Sequence, residues 1–327
     1  MKLGLWNLIV CFVVSVLIAP IIIKWLRKLK FGQSILVYVE QHKNKSGTAT
    51  MGGIIFILSA TIGCLFFVRK DNMLSIICLL GLLSFGILGF LDDFIKVRLK
   101  HNEGLKPYQK IIGQLGISII IAVYIYKSSM IGGGIVIPFS DIVIDIGPWI
   151  IPFVVFYFVA VVNSVNLIDG LDGLCCGVSS VFLLVFSIIL FVLTKGMLGV
   201  YFNQVNNIII VLLGVVGAVL GFMCFNGYPA KIFMGDTGSL ALGGIIAVST
   251  ALTRQYLLMC VIGVMFVLTA ISVIIQVVVF KITKGKRVFK MSPLHHHFEV
   301  TTHEAKVTLV YIVVTIIVGV MAIALYV

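Results

Sequence analysis

Four short polar segments of this 327-residue chain hold residue types that can do chemistry. The first is FGILGFLDDFIKV, where Asp92 and Asp93 close an apolar run. Adjacent residues on a helix point about 100° apart, so one carboxylate can face a cleft while the other meets a neighbouring helix or a cation. The dipole disfavours an acidic pair near a helix C-terminus, and ionisable groups at membrane depth are costly unless used. The second is NSVNLIDGLDGLCCG, where Asn166, Asp169 and Asp172 recur every three residues and share one side of a helical or 3₁₀ turn. Gly170 and Gly173 let that turn break. No lysine or arginine lies in this loop, so its two carboxylates call for a cation or a polar ligand; an ordinary Asx-turn is the plainer alternative.

The third segment is FNGYPAKIFMGDTGSLALGG. Its GDTGS run resembles an anion-accommodating turn with unshielded backbone N–H groups, in which Asp236 can hold Mg²⁺ beside phosphates and Lys231 adds a compensating charge. A helix start would use the same residues. Asn226 and Phe233 can address a base or sugar, or simply pack. The fourth segment, MSPLHHHFE, puts His295, His296 and His297 in the loop before the last apolar run. Neighbouring side chains diverge and zinc sites draw on spaced ligands, so hydrogen bonding to phosphate or sugar is preferred over zinc, with a neutral loop as the remaining reading. The seven cysteines show no CxxC spacing and no nearby histidine. Oxygen donors therefore dominate, which suits Mg²⁺ or Mn²⁺. With the lysines and glycine turns added, a diphosphate is the substrate that fits best. Phosphoryl transfer needs a bridging metal, cations on the developing charge and a positioned nucleophile.

The elements that position these segments are set by composition. Hydrophobic residues make up 61% of the chain, charged residues 11%, and the mean hydropathy is +1.20. This describes an all-α polytopic membrane protein, with residues 1–327 forming one integral-membrane domain. Apolar runs long enough to cross a bilayer are expected near 4–23, 51–68, 73–90, 111–126, 147–165, 173–193, 208–225, 239–253, 256–280 and 307–327, about ten transmembrane helices. The fourth and eighth are short and carry glycine, and the first reads as a retained anchor. The ninth, extended to about residue 282, would measure roughly 40 Å against a hydrocarbon core of about 30 Å, so it must tilt, bend or project. Between the fourth and fifth runs, IVIPF and IVIDI flank Ser140 and Asp141, which predicts a short outer-face β-hairpin over 134–146.

Threading these runs through a bilayer brings nine of the twelve carboxylates, all six histidines and 18 of the 24 basic residues to one face. By the positive-inside rule that face is cytoplasmic and both termini lie outside. The net charge of +12 is then topological and needs no nucleic-acid partner. Of the nine carboxylates, Glu40, Glu103, Glu299 and Glu304 read as ordinary loop residues.

GTATMGG, LDDFIKV, KIIGQ, NLIDGLDG, FNGYPAKIFMGDTGS and SPLHHHFE, in this order, resemble the motifs of the phospho-N-acetylmuramoyl-pentapeptide transferase family over nearly the whole chain. One departure is Ala49, where the family usually has proline. The resemblance implies a Mg²⁺-dependent enzyme of the bacterial cytoplasmic membrane, with its active site on the cytoplasmic face. It would move phospho-N-acetylmuramoyl-pentapeptide from a UDP carrier to undecaprenyl phosphate, releasing UMP. It further implies Asp92 and Asp93 on the lipid-phosphate side and Asp236 on the metal. Asn166, Asp169, Asp172, Asn226 and Phe233 would line the nucleotide side. Lys45, Thr50, Lys96 and Lys110 would contact phosphates or sugar, and the three histidines would complete the rim near the sugar-peptide. The partners are the two substrates and the lipid bilayer, and a homodimer is compatible with them. The alternatives are a related N-acetylglucosamine phosphate transferase and, from another class, an ion-coupled transporter. The latter would place its charges nearer the membrane midplane.

Overall fold

The computed structural model describes residues 1–28, 48–68, 72–99, 104–195 and 199–327. Lys45 lies outside them. The chain runs α1 (Lys2–Lys28), α2 (Gly53–Phe67), α3 (Met73–Leu99), α4 (Pro107–Lys127), β1 (Gly134–Val136), β2 (Val143–Asp145) and a 3₁₀ turn (Gly147–Trp149). It continues through α5 (Ile150–Ile168), α6 (Leu174–Leu193), α7 (Val200–Asn226), α8 (Gly235–Leu252) and α9 (Tyr256–Ile262). The last helices are α10 (Val264–Ile282), α11 (Leu294–Glu299) and α12 (Glu304–Ala324). Among the described residues nine helical segments are long and apolar enough to span a membrane, and α2, with 15 residues, is a shorter apolar helix. The protein is an all-α polytopic membrane protein. Its hairpin pairs antiparallel, with Gly134 opposite Asp145 and Val136 opposite Val143.

The two innermost helices are α7 and α8, and they differ in character. The α8 segment has the lowest mean hydropathy of the nine, 1.2, yet is 89% buried, against 28% for α1. Protein rather than lipid surrounds it: α3, α5 and α2 pack around it. Lipid offers no hydrophobic gain for helix pairing, so close approach of small residues carries the association. A side chain on Gly53 would meet the backbone at Gly238, one on Gly243 would meet Val162, and one on Gly244 would meet Phe85. On the other side, Gly214, Gly217 and Gly221 of α7 receive α1, whose Asn7 and Ser15 donate to the carbonyls of Ile210 and Ala218 at 2.9 and 2.8 Å.

A contact as tight as any of these governs the site. A Cβ on Gly89 of α3 would run into the Asp236 carbonyl at the start of α8, and backbone cannot swing aside as a flexible side chain can. Gly89→Ala should therefore push the first turn of α8 away from Asp92 and Asp93. The expected result is a loss of activity of roughly 100-fold or more, the scale of a 1 Å misplacement of reacting groups, in a protein that still inserts in the membrane. Activity per unit of folded protein, measured with membrane yield, checks this.

Two expectations change. The ninth apolar run is not one long helix: Gly263 ends α9, its N–H bonding the Met259 carbonyl at 2.8 Å, and its own carbonyl accepts from Phe266 to start α10. The break resolves the excess length. The triple histidine lies in a short helix, α11, rather than a loop. That helix is docked to α10 by Gln276, which accepts from the Val288 and Phe289 N–H groups, and by Ser272, which accepts from Leu294.

Candidate active site

The acidic pair on α3 divides its work between two directions, as the 100° offset predicts. Asp93, 3% exposed, points at the N-terminus of α8. Its Oδ2 accepts from the Thr237 N–H at 2.9 Å and the Thr237 hydroxyl at 2.7 Å, and its Oδ1 accepts from the Asp236 N–H at 3.2 Å. These are first-turn donors that an intrahelical bond cannot satisfy, and the positive end of the α8 dipole favours the carboxylate. A carboxylate near the C-terminal end of its own helix is thus stabilised by the N-terminal end of another. Gly235, at φ +72°, makes the turn that allows this approach; a Cβ there would press on Asp93 and Thr50.

Asp92, 1% exposed, faces the cleft. Its Oδ1 accepts from the Leu105 N–H at 2.8 Å, while its Oδ2 lies 2.6 Å from the Lys96 Nζ and 3.3 Å from the Lys110 Nζ. Both lysines also reach Asp236: its Oδ2 is 2.5 Å from Lys96 and 2.9 Å from Lys110. The Asp236 Oδ1 accepts from the Asn166 Nδ2 at 2.6 Å, and that same nitrogen donates to the Ser239 hydroxyl at 2.8 Å. Asp236 is therefore the hub where α3, α4, α5 and α8 meet. Lys96 and Lys110, not Lys231, balance its charge; Lys231 is exposed, and its carbonyl accepts from Arg27.

One oxygen from each of Asp92, Asp93 and Asp236 lies within 4.8 Å of the others. Three carboxylates with no sulfur or imidazole among them form a hard donor set of the kind Mg²⁺ and Mn²⁺ take.

Loop residues expected on the nucleotide side come together around α6 and α7, several through bonds to the fold itself. Asp172 accepts from the Ala230 N–H at 3.0 Å, tying the NLIDGLDG turn to the YPAK loop. Asn226 donates to the Ile232 carbonyl at 3.0 Å and accepts from the Cys176 thiol at 3.2 Å. Phe233 is half-buried, and its N–H donates to the Ala49 carbonyl at 2.8 Å. The Gly52 and Gly53 N–H groups return bonds to the Phe233 and Met234 carbonyls, both at 2.9 Å, so the GTATMGG segment and the buried Thr50 lie alongside the approach to Asp236.

Asp169 caps the C-terminal end of α5. Burial, reinforced by the carboxylates of Asp236, Asp93 and Asp172, pushes its carboxyl up to about 8. A carboxyl raised from 3.8 takes up a proton on folding, so its stabilising contribution is complete at low pH and is lost as pH rises through about 8. The melting temperature of the protein in detergent should thus fall more between pH 5 and pH 9 than that of Asp169→Asn. Parallel curves would contradict it.

The histidines reach this turn from the opposite side. A Cβ on Gly170 would collide with the imidazoles of both His295 and His296. His295 is fully buried, and its ring is pushed down to about 3 by burial and by His296, so it is neutral; neither ring nitrogen has a partner among the described residues. His296 is oriented by Glu299, with Nδ1 and Oε2 2.7 Å apart. His297 turns away and accepts from the Lys290 N–H at 3.1 Å. Glu299 is therefore not an ordinary loop residue: it is buried and fixes an imidazole beside Asp169 and Gly170. Sequence reasoning also passed over Thr237 and Ser239. Both stand in GDTGS, but nothing local signals that their partners lie on α3 and α5.

A family model described as glycosyl transferase family 4 matches residues 75–254. The chain is 42% identical to the phospho-N-acetylmuramoyl-pentapeptide-transferase of Clostridium novyi (strain NT), over 97% of this chain and 95% of that protein. It is 45% identical to the protein of that name from Thermoanaerobacter sp. (strain X514), over 94% of each chain. It is 46% identical to that of Halalkalibacterium halodurans, over 91% of this chain and 89% of that protein.

Proposed function

The chain belongs to glycosyl transferase family 4 and, within it, to the phospho-N-acetylmuramoyl-pentapeptide transferases, and from that we propose how its residues act. The reaction moves phospho-N-acetylmuramoyl-pentapeptide from a UDP carrier to undecaprenyl phosphate, releasing UMP and forming the first lipid-linked peptidoglycan intermediate. The observation that carries the reading is the meeting of Asp92, Asp236, Lys96, Lys110 and Asn166 at one end of the bundle, on four different helices. Such a site can hold a diphosphate and place a phosphate nucleophile against it.

Lys96 and Lys110 move from the carboxylates to the phosphate oxygens when substrate enters, and they stabilise the charge that develops in transfer. Asp92 orients the lipid phosphate. That monoester has a second pKa near 6 and is mostly dianionic at neutral pH, so placement outweighs proton removal. Direct attack on the β-phosphate is favoured over a covalent aspartyl-phosphate, because Asp92 is engaged by two ammonium groups and a backbone N–H and is a poor nucleophile. Asp93 is a positioning residue that holds the first turn of α8, and Asp236 with it. Asp236 and Asp92 would hold Mg²⁺, which supplies charge neutralisation at the diphosphate. Asp169, Asn226 and Phe233 border the nucleotide, and His295 and His296 border the sugar-peptide. Lys45 would join the phosphate contacts. The site end faces the cytoplasm of a bacterial inner membrane, in keeping with its excess of lysine and arginine.

Purified protein given UDP-N-acetylmuramoyl-pentapeptide should release UMP only when undecaprenyl phosphate is present, and should ignore UDP-N-acetylglucosamine. Release with the second sugar nucleotide would move the chain to the other branch of the superfamily. Exchange of labelled UMP into substrate without lipid acceptor would restore the covalent route.

A further inference from the structure

At the end of the bundle opposite the aspartates, a cavity of about 330 Å³ opens between the start of α3, the end of α4 and the first turns of α7. Its polar lining is Tyr124, Lys127, Ser128, Ser129 and Gln204, with Met73 at the rim. No carboxylate is among its described lining residues, whose polar members offer hydrogen-bond donors around one ammonium group. Lys127 has no ion-pair partner among the described residues. A second cation stands behind the wall: the Arg254 Nη2 donates to the Met130 carbonyl at 2.6 Å, and Met130 also lines the cavity.

Gln204 is a fixed polar group of the lining. It is 8% exposed, and its Oε1 accepts from the Leu74 N–H at 3.1 Å, which fixes the amide at the first turn of α3. The amide nitrogen is thereby held toward the cavity, and it makes no hydrogen bond among the described residues. That nitrogen opens to the cavity, where it can donate to an anionic oxygen.

The surroundings identify the ligand as a lipid. Inward from Met73, Ile76 and Leu80 follow on the same face of α3, exposed by 36% and 56%; inward from Tyr124, Ile120 of α4 is 73% exposed. Side chains this apolar and this open, on helices that span the membrane, face acyl chains. The polar cavity sits at their outer end, where phospholipid headgroups lie. A free anion would use the cavity but not the stripes beneath it. We propose that this cavity binds the phosphate of an anionic phospholipid from the leaflet opposite the active site, with an acyl chain lying along Ile76, Leu80 and Ile120.

The test uses the full chain, purified in detergent and stripped of lipid. Native mass spectrometry with added dioleoylphosphatidylglycerol should show one molecule retained, and thermal unfolding should shift upward. Dioleoylphosphatidylcholine should do neither. Gln204→Glu keeps the oxygen that accepts from Leu74 but replaces the donor with a negative charge, so the α3 contact survives; paired with Lys127→Gln it should weaken retention at least tenfold and remove the shift. UMP release by this double variant should be unchanged, because both positions are remote from Asp236. Equal retention by the double variant, or equal binding of phosphatidylcholine, would overturn the proposal. Inorganic phosphate reproducing the whole shift would also overturn it, in favour of a free-anion site.

Discussion

Asp236→Asn is expected to lower turnover by on the order of 10³-fold while the protein still folds and inserts. The carboxylate holds three groups from three other helices: Lys96 and Lys110 on one oxygen, Asn166 on the other. An amide keeps the shape but not the charge, and one of its ends is a donor, which would face either the lysines or the Asn166 amide. The helix itself should survive, because Asp93 and not Asp236 receives the first-turn N–H groups. UMP release and a melting curve on the same preparation separate these effects. Turnover within tenfold of the unaltered protein, at normal stability, would mean that Asp236 is only a scaffold. Asp92→Asn should fall in the same range, since its Oδ2 meets the same two lysines.

Chelation should have the other large effect. EDTA is expected to take UMP release below detection, Mg²⁺ to restore it and Mn²⁺ to substitute, while Zn²⁺, which prefers nitrogen and sulfur, should not. Three carboxylates against two ammonium groups leave one negative charge uncompensated, and the donors are all oxygen. Lys96 makes the prediction sharper. Its ammonium bridges Asp92 and Asp236, the two carboxylates assigned to the cation, so in the absence of substrate it competes with metal. Lys96→Met should bind Mn²⁺ several-fold more tightly by paramagnetic resonance and yet turn over far more slowly, because the phosphate loses its lysine. Parallel loss of metal binding and turnover would place Lys96 in a supporting role for the metal.

The carboxylates separate what could be read from the sequence and what could not. That Asp92, Asp93, Asp169, Asp172 and Asp236 lie at the same membrane edge follows from where the apolar runs end. Which of them meet does not. Asp172 goes to the Ala230 N–H and Asp93 to the α8 N-terminus, leaving Asp92 and Asp236 to share the lysines. The expected pairing of Lys231 with GDTGS rested on nearness in sequence; the lysines that do the job lie 140 and 126 residues from Asp236. Glu299 looks ordinary in the sequence because a glutamate three residues after a histidine has no distinctive spacing, and only the fold buries its carboxylate against that imidazole.

The order of the membrane helices, the short hairpin, the membrane edge that gathers the carboxylates and the family motifs are all legible in the order of the amino acids. Hydropathy is a local property, and it sets depth along the membrane normal. Lateral neighbours are a different matter. Between helices in lipid, hydropathy is nearly silent, and the arrangement is chosen by shape: Gly89 against the Asp236 backbone, Gly53 against Gly238, Gly263 breaking the ninth run. That the C-terminal end of α3 meets the N-terminal end of α8 is a matter of packing alone. That meeting turns an acidic pair at an unfavourable helix end into one carboxylate that builds the site and one that faces it.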